Sequence, residues 1–195
     1  MRALLACSAL LGLLGLVACQ SLAPVAVTPW SERRAALQAV GQFACSGQLA
    51  AATASEGFSA SARWRQQGTV SDLLLRAPLG VGGVHLELDG TELHVTASDG
   101  AQLEGAAARA ELVRLLGFEP PLASLRYWLL GVPDPSVTAS ETLDAAQRLQ
   151  RLEQGEWRID YGEYLRSGGQ WLPGRVALSR GALRLKLRVS RWQLS

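Results

Sequence analysis

Residues able to do chemistry are few in this chain of 195 residues, and most fail on spacing. His85 and His94 are the only histidines. Each falls on the polar side of an alternating stretch, so a hairpin could bring them together, but no further Asp, Glu or Cys stands at a recognisable metal-ligand spacing. They read as solvated strand residues. Leu79-Gly80-Val81-Gly82-Gly83 follows the apolar Leu73-Leu74-Leu75 and has the glycine density of a phosphate loop. What comes next alternates like a strand, so no helix N-terminus awaits a phosphate, and no Gly-Lys-Ser/Thr is present. The glycines read instead as backbone freedom for a hairpin loop. No Gly-x-Ser-x-Gly nucleophile motif occurs, and the carboxylates are scattered. These residues supply no positive sign of an enzyme, a metal centre or a cofactor.

Cysteine carries the one clear chemical signal. Met1-Arg2 leads an almost unbroken apolar run from Ala3 to Val17, closed by Ala18 and Cys19, which is the layout of a secretory signal. The run of about 15 residues is shorter than the ~20 that cross a hydrocarbon core. Leu16-Val17-Ala18-Cys19 resembles the bacterial lipobox. There the Cys thiol receives a diacylglycerol, the preceding bond is cut, and the new amino group usually takes a third acyl chain such as palmitate. On that resemblance residues 1–18 are a lipoprotein signal peptide and Cys19 is the lipidation site; the alternative is an ordinary signal peptide that happens to contain Cys19. Three chains at ~0.8 kcal/mol per buried CH₂ make an anchor that does not leave a bilayer unaided. Gln20 stands where an Asp would favour the inner membrane, so the outer membrane is expected. Cys7 would leave with the signal, and Cys45 would remain as a small buried side chain without a disulfide partner.

Charge excludes one partner class. Taking Arg2 from the 19 basic side chains leaves a near balance with the 17 acidic ones, without the basic excess that binding nucleic acid demands. Residues 19–29 hold two prolines and no charge, which suits an extended lipidated tether. The rest, 30–195, is long enough for one domain around one core and is expected to be monomeric.

The elements that must position these residues follow from periodicity. Ser31 is placed to cap a helix with Ala35, Leu37 and Val40, ending before Gly41. Phe58, Ala60, Ala62 and Trp64 then alternate with polar residues, as do Val84, Leu86 and Leu88. Asp89-Gly90 turns the chain into Leu93-His94-Val95, and Asp99-Gly100 marks a second turn. Ala106 to Leu116 is rich in Ala, Leu, Glu and Arg and reads as a helix stopped by Gly117. A second short helix is expected over Leu122 to Leu130, ending at Gly131. Strands resume with Trp157, Ile159 and Tyr161; Leu172-Pro173-Gly174 is expected to turn the chain; Leu183, Leu185, Leu187 and Val189 oppose Arg184, Lys186 and Arg188. Short strands with helical interruptions predict an antiparallel sheet curled around helices. By strand parity Leu73, Leu75, Leu86, Leu88, Val95, Leu185 and Leu187 share apolar faces, and Trp128 and Leu129 lie on a helix able to plug an opening. Six Trp is a high count, suited to cores, cavity rims and membrane interfaces.

In this order the chain resembles the LolB family. The matching residues are Trp30 with Arg33-Arg34, Gly47, Phe58 to Gln66, Leu73 to Leu75 running into Pro78-Leu79-Gly80, Asp99-Gly100, Leu115-Leu116-Gly117, and Pro121 to Leu125. Trp128 to Pro133, Trp157 to Tyr161, Leu172-Pro173 and the last strand into Trp192 complete the set. The match is weakest over residues 50–56 and 134–150. The resemblance implies a half-closed antiparallel β-barrel of the LolA/LolB type, mainly β, capped by short helices around an apolar cavity. It implies a receptor that takes triacylated lipoproteins from the periplasmic carrier LolA and inserts them into the inner leaflet of the outer membrane without nucleotide. It also implies that Pro78, Leu79 and Gly80 form the loop that touches the membrane, and that the apolar-face residues named above are candidates to line the acyl-chain cavity. A protein of the same fold that binds free lipid or scaffolds envelope assembly is the alternative. A sheltered route has a physical basis, since one chain of ~16 carbons in water costs on the order of 12 kcal/mol.

Overall fold

The computed structural model describes residues 28–53, 57–78, 82–116 and 118–194. A helix, α1 (Trp30–Gln38), leads into β1 (Gln42–Ala52), β2 (Gly57–Gln67), β3 (Val70–Arg76), β4 (Gly83–Asp89), β5 (Glu92–Ala97) and β6 (Gln102–Glu104). Two helices follow, α2 (Gly105–Leu116) and α3 (Leu122–Leu130), then β7 (Ala139–Leu143), β8 (Leu149–Gln154), β9 (Trp157–Ser167), β10 (Gln170–Arg180) and β11 (Leu183–Leu194).

All the strands lie in one antiparallel sheet, in the order β6-β5-β4-β3-β2-β1-β11-β10-β9-β8-β7. Every neighbour in that order is also a sequence neighbour, except β1 with β11. The chain therefore starts at the centre of the sheet, walks out to the β6 edge, crosses to the β7 edge, and walks back. The crossover carries α2 and α3. Among the described residues β6 and β7 do not pair, so the sheet is curled but not closed, and α2 packs against β5 and β6.

Alternation sorts side chains between the two faces. On β11, Leu183, Leu185 and Val189 are buried while Arg184, Lys186 and Arg188 are exposed; on β2, Ala60 is buried between exposed serines and Trp64 between exposed arginines. β1 alternates too, with Phe43, Cys45 and Ala51 inside. Its pairing with β11 shifts register between Ser46 and Gly47, and a Cβ on Gly47 would sit 2.0 Å from the Arg188 carbonyl oxygen. Only glycine allows this bulge.

Several sequence expectations hold. The hairpin turns at Gly90 and Thr91, and α3 ends at Gly131 in the left-handed region (φ 76°), its N–H donating to the Trp128 carbonyl. Two do not. Ser31 caps nothing: α1 starts one residue earlier at Trp30, after Pro29, with no side-chain cap. Its start is pinned from outside, because the Trp30 indole N–H and the Arg34 guanidinium (2.8 Å) both donate to the Glu141 carboxylate. Leu172-Pro173-Gly174 does not turn the chain; it lies inside β10, and the turn falls at Gly168-Gly169. Pro173 is tolerated there because the β10–β11 ladder covers only Arg175 to Arg180, leaving no bond for its missing N–H to forfeit. Glu163 (φ 54°) and Gly174 drop out of the β9–β10 ladder together, and a Cβ on Gly174 would lie 2.0 Å from the Glu163 carbonyl oxygen; the register is the same on both sides, so this is a local kink without an inserted residue.

A buried polar clamp holds the crossover to the sheet. Gln154 Oε1 accepts from Trp128 Nε1 (2.7 Å) and from the Asp134 N–H (3.0 Å), while its Nε2 donates to the carbonyls of Asp134 and Val137. The Asp134 carboxylate accepts from the Ser136 N–H, the Ser136 hydroxyl and the Ser124 hydroxyl. Burial alone would raise the Asp134 carboxyl, but these hydrogen bonds outweigh it and hold it below the usual range.

Two outcomes are expected. Gln154→Leu strands the Trp128 N–H and the backbone groups it served, and should lower the unfolding free energy by roughly 2–4 kcal/mol in urea titration. Asp134 has a depressed folded pKa, so its stabilisation is complete above the unfolded value of ~3.9 and is lost as pH falls through the lower folded value. Asp134→Asn should therefore melt earlier than the parent at neutral pH and lose less stability between about pH 4 and pH 2; parallel acid profiles would contradict this.

Candidate functional site: an apolar cavity beneath the crossover

The inner face of the central strands and the underside of the crossover enclose a cavity of about 100 Å³. Its floor comes from Cys45, Gly47 and Leu49 on β1, Phe58, Ala62 and Trp64 on β2, Leu73 and Leu75 on β3, and Leu86 on β4. Leu178 on β10 and Leu185 and Leu187 on β11 extend it across the sheet centre, and Phe118, Pro120, Leu122, Leu125 and Leu129 form the roof. No charged side chain lines it. Such a surface can shelter hydrocarbon but offers no group for acid–base or nucleophilic chemistry.

Of the residues expected on apolar faces, Leu73, Leu75, Leu86, Leu129, Leu185 and Leu187 are brought together here. Leu88, Val95 and Trp128 lie elsewhere. Leu88 and Val95 are buried in the core between the sheet and α2, and Trp128 packs against Trp157 with its N–H on Gln154. Strand parity finds the correct face but not which stretch of it stays unfilled. The roof positions Leu122, Leu125 and Leu129 were legible as one stripe at i, i+3, i+7, and Trp64 and Ala62 as one strand face. Phe118 had no periodic signal; it sits between the helices and meets Trp157 edge-on at 6.1 Å.

Cys45 faces Trp64 across the β1–β2 ladder, and burial pushes its thiol up to about 12, so it stays neutral. His85 pairs with Asp72 (2.9 Å) and His94 with Glu104 (3.3 Å), both on the outer face. Of the six tryptophans, Trp171 is the most exposed. Pro78 is exposed; Leu79, Gly80, Cys19 and most of the expected tether lie outside the described residues.

Comparison with known proteins settles the ancestry of this arrangement. The profile of the family described as "Outer membrane lipoprotein LolB" matches residues 41–192, from the residue before β1 to Trp192. The chain belongs to the LolB family. It is 36% identical over 166 residues to the outer-membrane lipoprotein LolB of Nitrosococcus oceani, covering 85% of this chain and 83% of that protein. The LolB of an Azoarcus species is 31% identical over 167 residues, 86% of each. Among solved structures, a LolA superfamily protein from Nitrosomonas europaea superposes with a TM-score of 0.56 at 12% identity, covering 87% of this chain and 94% of that one. A putative outer-membrane lipoprotein-sorting protein domain from Vibrio parahaemolyticus gives 0.51 at 8%, covering 85% and 91%. These two share the fold, a half-open antiparallel barrel. The cavity therefore sits on a scaffold that both of these structures share.

The neutral, enclosed thiol gives a direct readout of the cavity. Iodoacetamide at pH 8 should leave Cys45 unmodified in the folded protein and alkylate it once guanidinium unfolds the chain. Equal labelling in both states would show that the cavity floor is open to water.

Proposed function

We propose that the cavity is the compartment in which this LolB-family receptor holds the acyl chains of other lipoproteins between their periplasmic carrier and the outer membrane. The observation that carries this is a lining built wholly from apolar side chains under a roof that bridges two unpaired sheet edges. In its present state the cavity is smaller than the ~150 Å³ that accommodates one benzene, so a chain of ~16 carbons enters only as the roof moves outward. Leu122, Leu125 and Leu129 leave the floor together in that motion, because they share one helix. The acyl chain then replaces their contacts, and hydrocarbon is exchanged for hydrocarbon without exposure to water.

The reading has no catalytic step and no cofactor. Direction comes from affinity: the chain binds here more tightly than in a LolA-type carrier and more tightly still in the bilayer. Cys19 supplies the anchor, residues 1–18 are the signal that is removed, and residues 30–195 act as one receptor domain. Pro78, Leu79 and Gly80 are the residues that meet the bilayer surface at delivery.

Two measurements test this. A radiolabelled lipoprotein loaded on the cognate LolA-type carrier should pass to this protein, prepared without its lipid, in the absence of nucleotide. Label that stays on the carrier would leave a lipid-binding scaffold as the better account. Leu79→Glu should still take up label but fail to deliver it to liposomes, since a carboxylate is penalised in the acyl region. Unchanged delivery would remove the loop from the mechanism.

A further inference from the structure

The outer face of the sheet centre is as one-sided in charge as the inner face is in apolarity. β2, β1, β11 and β10 are consecutive in the sheet, and none of them contains an Asp or a Glu. They carry Arg63, Arg65, Arg175, Lys186, Arg188 and Arg191, all exposed. Glu163 on β9 reaches Arg175 (2.9 Å) and Arg188 (3.4 Å). Among the described residues Arg63, Lys186 and Arg191 have no acidic partner, and Arg65 stands opposite Asp72 in the β2–β3 ladder, whose carboxylate is engaged by His85. In a chain with nearly balanced charge, this is segregation rather than excess.

Register turns the segregation into a groove. β1 presents only small or neutral side chains outward. Ala44 faces Arg65 on one side and Gln193 on the other, Ser46 faces Arg63 and Arg191, and Ala50 faces Lys186. The strands are ~4.8 Å apart, so Arg63 and Arg191 stand about 10 Å apart over the short Ser46 side chain. The groove between them, about 230 Å³, is lined by Ala44, Ser46, Arg63, Arg65, Arg191 and Gln193. Two or three guanidiniums converging over a hydroxyl suit a phosphate oxygen cluster.

We propose that this face rests on the bilayer and binds the phosphates of anionic phospholipid headgroups. A protein interface of this size would have an apolar or aromatic centre. Here the exposed large apolar side chains are Phe58, which lines the cavity on the other face, Val113, Val137 and Leu165, which lie off these four strands, and Trp171, at the end of β10 next to the Gly168-Gly169 turn, where Arg148 and Arg166 stack on its ring. The inference rests on the reading that Cys19 holds the chain at a membrane, which keeps phospholipid within tether length. It also assigns a posture. Cys45, Leu49, Trp64, Leu185 and Leu187 point into the cavity from the same strands, so with the basic face down the cavity opens away from the bilayer, ready to receive. Delivery then requires the domain to roll off these contacts.

Lys186 is the only lysine in the chain, and lipoprotein processing blocks the N-terminus, so a water-soluble amine-acetylating reagent reads this face alone. The lipidated protein would be placed in vesicles of phosphatidylcholine, with or without roughly 30% phosphatidylglycerol, and Lys186 acetylation followed by mass spectrometry. Phosphatidylglycerol should slow the reaction severalfold, and 1 M salt, with a Debye length of about 3 Å, should abolish the protection. Each arginine removed should weaken the contact about five-fold, so Arg63→Gln with Arg191→Gln returns Lys186 to its phosphatidylcholine rate while Arg109→Gln, on α2, does not. Flotation separates the two readings: a chain that does not float with phosphatidylcholine lacks the anchor, whereas one that floats with Lys186 equally reactive in both vesicles lacks the headgroup face. Protection by inorganic phosphate alone, or by soluble polyglutamate but not by phosphatidylglycerol, would also overturn the proposal.

Discussion

The ladder between β1 and β11 is the constraint on which the rest of the molecule depends. Among the described residues it is the only pairing between strands distant in sequence, and it joins a meander that runs outward from β1 to a second that returns through β11. Without it the two halves would be separate hairpin stacks, each with an apolar face too wide for its own helix to cover. With it, Leu49, Leu185 and Leu187 meet Trp64 and Leu73 on one concave surface. The Gly47 bulge lies in this ladder, where extra local twist helps the sheet curl. Because the pairing is long-range, its closure entropy must be met before the cavity floor exists.

The roof is held differently from the floor. Floor residues sit on strands tied to neighbours on both sides. The crossover instead depends on a few buried or part-buried polar contacts: Gln154 with the Trp128 indole near the C-terminal end of α3, Asp134 on Ser124 and Ser136, and Gln38 of α1 on the Pro133 carbonyl. Hydrogen bonds of this kind are directional and net modestly stabilising, so they fix one position of the roof without welding it down. A roof sealed by apolar packing alone would have no unique closed position; one laddered into the sheet could not lift. The unpaired β6 and β7 edges leave that freedom.

How much of this was legible in the chain depends on how strongly each residue's type is tied to its place. The β11 alternation is clean because large aliphatics oppose cations, and α3 is clean because Gly131 marks its end. β1 went unread as a strand because Gly47, Ala50, Ala51 and Ala52 blur the contrast between faces, yet those small residues are what the bulge and the outer groove require. β7 and β8 fall in the stretch where the family resemblance was weakest, and β7 carries more polar than apolar residues, as an edge strand should. Leu172-Pro173-Gly174 misled because proline and glycine in sequence signal a turn, whereas here the β10–β11 ladder begins only after them, at Arg175. For the cavity, parity named the right face of each strand; the filling of Leu88 and Val95 by α2 is a tertiary fact with no local signature.

A cavity that is nearly full of its own side chains also bears on direction of transfer. If closed and open roofs coexist, an acyl chain binds only the open form, and the observed affinity is the intrinsic one reduced by the open fraction. Closing recovers the contacts of Leu122, Leu125 and Leu129 with the floor, which opposes retention of the chain without touching its solvation. Substitutions that weaken the Gln154 clamp would raise the open fraction, shifting the equilibrium with the carrier toward capture and the equilibrium with the bilayer away from release by the same factor. The clamp is thus where stability and transfer are coupled. A receptor that must be downhill from its carrier yet uphill from the membrane needs an adjustable intermediate affinity, and a few hydrogen bonds on a hinged roof provide one that the apolar lining, invariant toward any hydrocarbon, does not.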